Sequence, residues 1–400
     1  MEPHEVSDPQ PEVERRPGRW LLAGNLTATM AVGPIPVFAV GALAPLLTTE
    51  FDLTRTELGV LTPVAFGIAA VGGFVGGHLP DRLGPRRILI ALYVCALIAF
   101  VGFAAAVTFA GLVVALLFAG LAMSLSNPVT NALVGRELPP GERGVVMGLK
   151  QSGVTMGQFL AGTTLPLGAV LWGWRGVLLV TAALPLAGIV TTWRTLPPDR
   201  QLAVRRVARK AGDLDPVVWI LSLYSFLMAV VLQATGVYAS LYAFEKVEVS
   251  SAVAGTVVGV FGVVGIVARI TWGRIAERRR TVSGPLTLLA GLTGLSMVGF
   301  LTAQHVGGWL LWLSAVVFGA SAAAVNVVAM LGTFRVSRPE ATGRATGIIV
   351  LGMYSGFVAG PAIFGMVTDT VGSYAVGWTG AVILCLAAMA VGQWLRYRGA

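Results

Sequence analysis

Long apolar runs follow one another along almost the whole chain, and they constrain the fold more than any other feature. They lie near 20–48, 57–78, 88–107, 110–134, 144–170, 175–193, 216–243, 252–272, 283–303, 307–333, 344–368 and 374–395. A helix that crosses the hydrocarbon core of a bilayer needs ~20 mostly apolar residues. Lipid offers no partner for backbone N–H and C=O groups, so only helices and closed barrels can span it. Barrel strands need only about ten residues, and these runs are too long for them. The expected fold is therefore an all-α membrane protein with twelve transmembrane helices. Only 12% of the 400 residues are charged and 56% are hydrophobic, whereas a soluble chain carries about a quarter charged residues.

The formal net charge of +9 suggests an acidic partner until the charges are placed between the runs. With a cytoplasmic N-terminus, 23 of the 28 Lys and Arg residues fall on the cytoplasmic side, the bias that orients membrane proteins. Only Arg55, Arg175 and Lys246 face outward, and Lys150 and Arg269 lie inside helices. This topology places the chain in the inner cell membrane with both termini cytoplasmic, and it accounts for the basic balance with no nucleic-acid partner. The polar stretch 194–215, with Arg200, Arg205, Arg206, Arg209 and Lys210, divides six runs from six. The expected organisation is a tail (1–19), a first bundle (20–193), a basic linker (194–215) on the anionic inner leaflet, a second bundle (216–395) and a short tail (396–400). Residues 1–19 are polar and hold no apolar run before a cleavage site, so the first helix is expected to be an uncleaved targeting signal. Cys95 and Cys385 both sit in apolar runs and the three histidines are scattered, a pattern that predicts neither disulfide nor metal nor cofactor.

The two sets of six runs repeat each other. At a shift of 199 residues, Gly144, Gly148, Gly153 and Gly157 fall on Gly343, Gly347, Gly352 and Gly356, and Gly120 and Asn127 fall on Gly319 and Asn326. At 196, Gly59, Gly77 and Arg82 fall on Gly255, Gly273 and Arg278, with Asp81 on Glu277. A parallel repeat implies two pseudo-symmetric six-helix bundles with a solute site between them near the midplane. The glycine ladder reads as helix packing in lipid, where small residues let backbones approach.

Between the second and third runs the sequence is Gly77-His78-Leu79-Pro80-Asp81-Arg82-Leu83-Gly84-Pro85-Arg86-Arg87. This resembles the signature loop of the major facilitator superfamily, G-x-L-a-D-R-x-G-r-[RK]-[RK]. A second copy, Gly273 to Arg280 with Glu277 and Arg278, stands at the equivalent place in the other half. Pro80 and Pro85 depart from the small and basic residues usual there. The resemblance covers essentially the whole chain and implies twelve helices and transport by alternating access. It also implies that this loop latches the halves on the cytoplasmic side, with Asp81 engaging the start of the eleventh helix near Gly343.

Ionisable groups inside a membrane are costly and are functional candidates by default. No acid lies deep in any run: Glu50, Asp52, Glu57, Glu245, Glu248 and Asp369 all sit at outer ends. The family's helix-four arginine is missing from 118–134, and the exporters' G-x-x-x-G-P pattern occurs only as Gly356-x-x-x-Gly360-Pro361 in the eleventh run. Two cations remain. Lys150 lies roughly 9 Å beyond Gly144 at 1.5 Å per residue, among Gln151, Ser152, Thr155 and Gln158; it is either functional or an interfacial anchor that snorkels. Arg269 resembles the helix-eight arginine of monocarboxylate and oxalate carriers, which binds a carboxylate, although many family members place Arg beside the second loop. Guanidinium pairs bidentately with a carboxylate. Asn127 and Asn326 occupy matching places and can bond across helices or to a solute. Asn25, Thr29, Gln233, Tyr238 and Tyr354 complete the cavity candidates.

The expected function is secondary active transport of a small organic solute, anionic or polar, driven by a coupling ion (H+ or Na+) or a counter-solute, with one chain as the working unit. Arg143 through Gly162 loosely resembles cyanate-permease-like members. The alternatives are efflux of a hydrophobic drug or metabolite and, in another class, a transporter-like sensor or receptor. No nucleophile, base or metal constellation converges, so an enzyme is not expected.

Overall fold

The computed structural model describes residues 19–76, 79–196, 199, 215–338 and 341–397. The N-terminal tail up to residue 18, most of the central linker, Gly77 and residues 398–400 lie outside the described residues. Every regular element among those described is helical. The first half contains α1 (Arg19–Val32), α2 (Ile35–Ala42), α3 (Ala44–Phe51), α4 (Arg55–Gly76), α5 (Leu79–Leu83), α6 (Pro85–Ala105), α7 (Phe109–Glu137), α8 (Pro140–Thr181) and α9 (Ala183–Thr195). The second contains α10 (Pro216–Lys246), α11 (Ser251–Arg278), α12 (Ser283–Val306), α13 (Gly308–Ser321), α14 (Val325–Val336), α15 (Thr342–Val371) and α16 (Tyr374–Tyr397). A single 3-10 turn, Ala322–Ala324, joins α13 to α14.

Ten of these helical stretches are long and apolar enough to cross a membrane, or eleven if the pair Trp20–Val32 and Ile35–Ala42, bent by 46°, is one span. The difference from the twelve expected lies in Val146–Thr195, which counts as one stretch of 50 residues. At 1.5 Å per residue it is far longer than the ~30 Å hydrocarbon core requires. Gly173 breaks it: its φ of 68° and ψ of 161° are not helical, and at positive φ a residue with a Cβ is strained. The bend near the start of the chain has an equally local cause, since Pro34 has no N–H to donate and Pro36 opens α2.

Glycines that coincide in the sequence repeat make equivalent approaches in the two halves. A Cβ at Gly153 or Gly157 of α8 would meet the carbonyls of Thr27 and Ala31 on α1. One at Gly352 or Gly356 of α15 would meet the carbonyls of Ser222 and Phe226 on α10. Gly120 of α7 fits against Ala65 of α4, and Gly319 of α13 against Phe261 of α11. Between the halves, Gly162 abuts Gly259 and Gly41 abuts Gly236. Dispersion contacts at such crossings, not water exclusion, hold helices together in lipid.

A branched side chain at Gly157 therefore has to push α8 off α1. Gly157→Val is expected to destabilise the purified protein by about 1–3 kcal/mol, read as a lowered melting temperature in detergent. Gly148→Val is the control, because nothing lies within 4 Å of a Cβ there; an equal loss in both variants would refute the packing role.

Candidate functional site

One cavity opens between the halves. It contains about 1310 Å³ of non-atom space including its mouth, and α1, α2, α4, α7 and α8 face α10, α11, α14 and α15 across it. Seven of the expected site residues line it: Asn127, Gln151, Gln158, Gln233, Arg269, Asn326 and Tyr354. Asn127, Gln151, Ser225, Arg269 and Asn326 lie nine to eleven residues from the basic ends of their helices, roughly 14–17 Å at 1.5 Å per residue. They form a polar belt near mid-height. Gln158 and Gln233 lie deeper, with Phe38.

Arg269 is the one charged side chain among the described lining residues, and no carboxylate lines the cavity with it. Its Nε donates to the carbonyl of Ala323 at 3.1 Å and its Nη1 to the carbonyl of Gln151 at 3.5 Å. Ala323 belongs to the 3-10 turn where the helix ladder of α13 is interrupted. Trp272, one turn further along α11, takes the carbonyl of Ala320 at 2.9 Å. Broken helices are tolerated at membrane depth where side chains take up the freed groups or where they line a cavity. The bond to Gln151 crosses between the halves. A guanidinium has five donors, so Arg269 keeps capacity for a bound acceptor.

The opposite wall is aromatic. Phe66 of α4 lies 6.0 Å from Tyr354 and 4.7 Å from Phe357 of α15, centroid to centroid, and these two lie 6.0 Å apart. Met30, Met123, Met228 and Met353 supply further soft surface. Two polar atoms of the lining are buried without a protein partner: Ser225 Oγ and Asn326 Oδ1.

Four expected site residues, Lys150, Asn25, Thr29 and Tyr238, do not line this cavity. Lys150 is 1% exposed and points away from it, donating to Thr130 Oγ1 at 2.8 Å and Asn131 Oδ1 at 2.5 Å on α7. Its repeat mate Ile349 is fully buried in the second half, so the position is a core position in both. Asn25 accepts from the Tyr93 hydroxyl on α6, which also bonds Thr29 at 2.8 Å; that face of α1 turns inward to its own bundle. Tyr238 is buried at the far end, its hydroxyl on the carbonyls of Arg55 and Pro361 and its ring stacked on Phe364.

Tyr238 belongs to a polar cluster that joins the halves beyond the cavity. Asp369 of α15 accepts from the first backbone N–H groups of α4, Arg55 at 3.3 Å and Thr56 at 2.7 Å, and from the Thr56 hydroxyl at 2.6 Å. It thus caps a helix of the opposite half, where the macrodipole favours a negative charge. Arg55 Nη2 bonds Glu245 of α10 at 2.6 Å, and its guanidinium lies over Tyr374, 5.0 Å from the ring centroid. The sequence places these acids at outer ends of the runs and assigns them no partner; three lone charges at three helix ends were the signal available.

The described contacts between halves concentrate at this end. Besides the cluster they include Gly162–Gly259, Gly255–Pro166 and Gly262–Phe159, all on the Glu245 side of Arg269. These contacts hold the halves together at the end opposite the basic face.

The sequence profile of the Major Facilitator Superfamily matches residues 26–334 and 249–399. The chain belongs to the major facilitator superfamily. This facilitator is similar to the membrane sensor protein UhpC of Salmonella typhimurium, 26% identical over 350 residues that cover 79% of this chain and 77% of the relative. It is also 27% identical over 360 residues to the 3-(3-hydroxy-phenyl)propionate transporter of Escherichia coli, covering 87% and 88%. Its fold superposes on a bacterial homolog of the human lysosomal transporter Spinster in an inward-facing, unoccupied conformation, with a TM-score of 0.80, 17% identity and coverage of 96% and 98%.

The facilitator signature loop has its own geometry. Gly84, at φ 89°, turns the chain into α6, whose first N–H groups, on Arg86 and Arg87, donate to Asp199 at 3.1 and 2.9 Å. Arg86 also donates to the carbonyl of Trp193 at 2.9 Å. The carboxylate that caps this helix thus comes from beyond α9. Asp81 lies in α5, but its side chain lies outside the described residues, as does the latch expected between it and the start of α15 near Gly343. In the second copy, Gly273, Glu277 and Arg278 end α11, where Arg335 donates to the carbonyls of Ala276 and Glu277.

Proposed function

We propose that this facilitator is a secondary transporter that carries a small organic anion between the two faces of the membrane by alternating access. The observation that carries this reading is Arg269, a lone cation at mid-height in an otherwise neutral cavity. Holding a charge there is expensive unless it is used, and a carboxylate is the ligand its planar fork fits best. The interhalf bond to Gln151 supports a role in gating: an anion that draws the guanidinium to itself weakens a contact between the halves. A ligand biases two states only by binding them differently. The basic end is read as the cytoplasmic face because most Lys and Arg residues lie there. The driving force is an ion gradient or a counter-solute.

Reconstituted into liposomes, the protein is expected to take up organic carboxylates and not organic cations of the same size. Equal uptake of both, or of neutral hydrophobic dyes alone, would refute the anion reading and favour efflux of apolar compounds. A sensing role is the second reading, favoured by the relative named as a sensor; saturable anion binding with no uptake at any gradient would support it.

A further inference from the structure

We infer that Lys150 is a positioning residue: from behind the cavity wall it fixes the stretch of α7 around Pro128 and so sets how Ser126 and Asn127 face the solute. This goes beyond the anion reading and does not depend on the charge of the solute.

The helical ladder is weakened at the same place in both halves. Pro128 lies inside α7 and has no N–H, so the carbonyl of Ser124, four residues back, loses its helical donor. At the repeat shift of 199, Ser124 falls on Ala323, which lies in the 3-10 turn and whose carbonyl is taken by Arg269. The mate of Arg269 is Gly73, which has no side chain to offer; a Cβ there would lie 4.0 Å from the Ser124 carbonyl. Helix α4 therefore supplies no guanidinium at the matching place, and the first half is served from α8 instead.

Lys150 Nζ donates to Thr130 Oγ1 at 2.8 Å and to Asn131 Oδ1 at 2.5 Å. A hydroxyl that accepts from an ammonium sends its own proton elsewhere. That of Thr130 goes back one turn, to the carbonyls of Ser126 at 2.6 Å and Asn127 at 3.3 Å. Back-bonding of this kind often bends a helix. Ser126 and Asn127 both line the cavity, so Lys150 stands two hydrogen bonds behind the wall.

The second half shows what these polar groups accompany. Thr130, Asn131 and Lys150 fall on Ala329, Met330 and Ile349, and Pro128 falls on Val327. Ala329, Met330 and Ile349 pack in one apolar cluster. The polar trio occurs where the helix contains proline, and an apolar trio where it does not. A cation buried inside a membrane is costly and an isoleucine is not, so packing alone does not account for the lysine. Hydrogen bonds from a charged donor are stronger than neutral ones, which suits a clamp on a helix that has lost part of its own ladder.

The test reads the orientation of α7 at position 127 directly. The full chain carries Cys95→Ala and Cys385→Ala, which remove its two cysteines, and then either Asn127→Cys or Asn326→Cys. Each is labelled in liposomes with aminoethyl methanethiosulfonate, a small polar thiol reagent, and the ratio of the two rates is compared with and without Lys150→Met. Lys150→Met is expected to lower the rate at 127 relative to 326 by roughly threefold to tenfold, the size expected for one lost hydrogen bond. Thr130→Val, which removes only the hydroxyl, should lower it too. The two together should lower it no further than the larger single effect, because both break one relay. Both positions line the same cavity, so a shift between conformational states acts on both rates and cancels in the ratio. An unchanged ratio in either single variant overturns the inference. Additive losses overturn it as well, since they would make Lys150 and Thr130 independent packing groups. No solute enters the measurement, so its failure leaves the anion reading where it stands.

Discussion

Arg269→Gln should abolish carboxylate uptake while leaving the protein folded and inserted. Glutamine keeps hydrogen-bonding capacity and much of the length, so the bond to the Ala323 carbonyl has a replacement donor and the 3-10 turn need not collapse. What it loses is the one cation of the cavity lining and the fork that grips both oxygens of an acid. Truncating one partner of a desolvated, hydrogen-bonded charge pair costs about 2–5 kcal/mol, roughly 30-fold to several thousand-fold in affinity. Arg269→Lys restores the charge but not the planar fork, and is expected to recover only part of the loss. Uptake assays across a concentration series separate these outcomes. Wild-type uptake by Arg269→Gln would mean that the anion is held elsewhere.

Which of the candidate residues met at the cavity depended on the angle at which each side chain leaves its helix. On α8, Lys150 and Gln151 are neighbours in sequence but about 100° apart around the axis, since 3.6 residues make a turn. Gln151, Val154 and Gln158 share the cavity face, at spacings of three and seven. Lys150, Gly153 and Gly157 share the adjacent face, which packs on α1 and α7. The glycine ladder that was legible as packing thus already marked Lys150 as a packing position, and its repeat mate Ile349, buried in the same place, marked it again. A polar neighbourhood in sequence was read as one face when it was two.

The same reasoning explains Asn25 and Thr29, one turn apart and both bonded to Tyr93, while Met30, Pro34 and Val37 of the same segment line the cavity. Asn127 and Asn326 both line the cavity, as their equivalent positions in the repeat lead one to expect. The aromatic cluster was legible only in part. Tyr354 stood out as polar, but Phe66 and Phe357 were invisible among many apolar residues until α4 and α15 were brought together. Twelve apolar runs stand against ten or eleven helical stretches for a local reason: Val146–Thr195 counts as one stretch although Gly173 breaks it.

The cap that Asp369 places on α4 could not be read from the sequence at all, since 313 positions separate Asp369 from Thr56, and it carries the second large prediction. Asp369→Ala should shift the conformational equilibrium toward opening at the end opposite the basic face. In the present state the start of α4 is capped twice. Thr54 and Glu57 form a reciprocal capping box within the same half, a pattern that satisfies two orphan donors. Asp369 adds a charge-assisted cap from the other half. Only the second is broken when the halves part, so helix α4 survives the motion and the free energy of the cap belongs entirely to the closed state. Bonds of this kind to a charged group contribute about 1.5–3 kcal/mol each, so removing the carboxylate should raise the open population by roughly 10-fold or more. Arg55→Gln, which breaks the pair with Glu245, should shift it the same way and less than additively in combination, because both act on one contact. Spin labels at Val107 and Val306, exposed residues beside that end in the two halves, provide the measurement. The distance distribution should gain a longer component in Asp369→Ala without substrate. A distribution identical to wild type would mean that the cluster decorates the closed end without holding it.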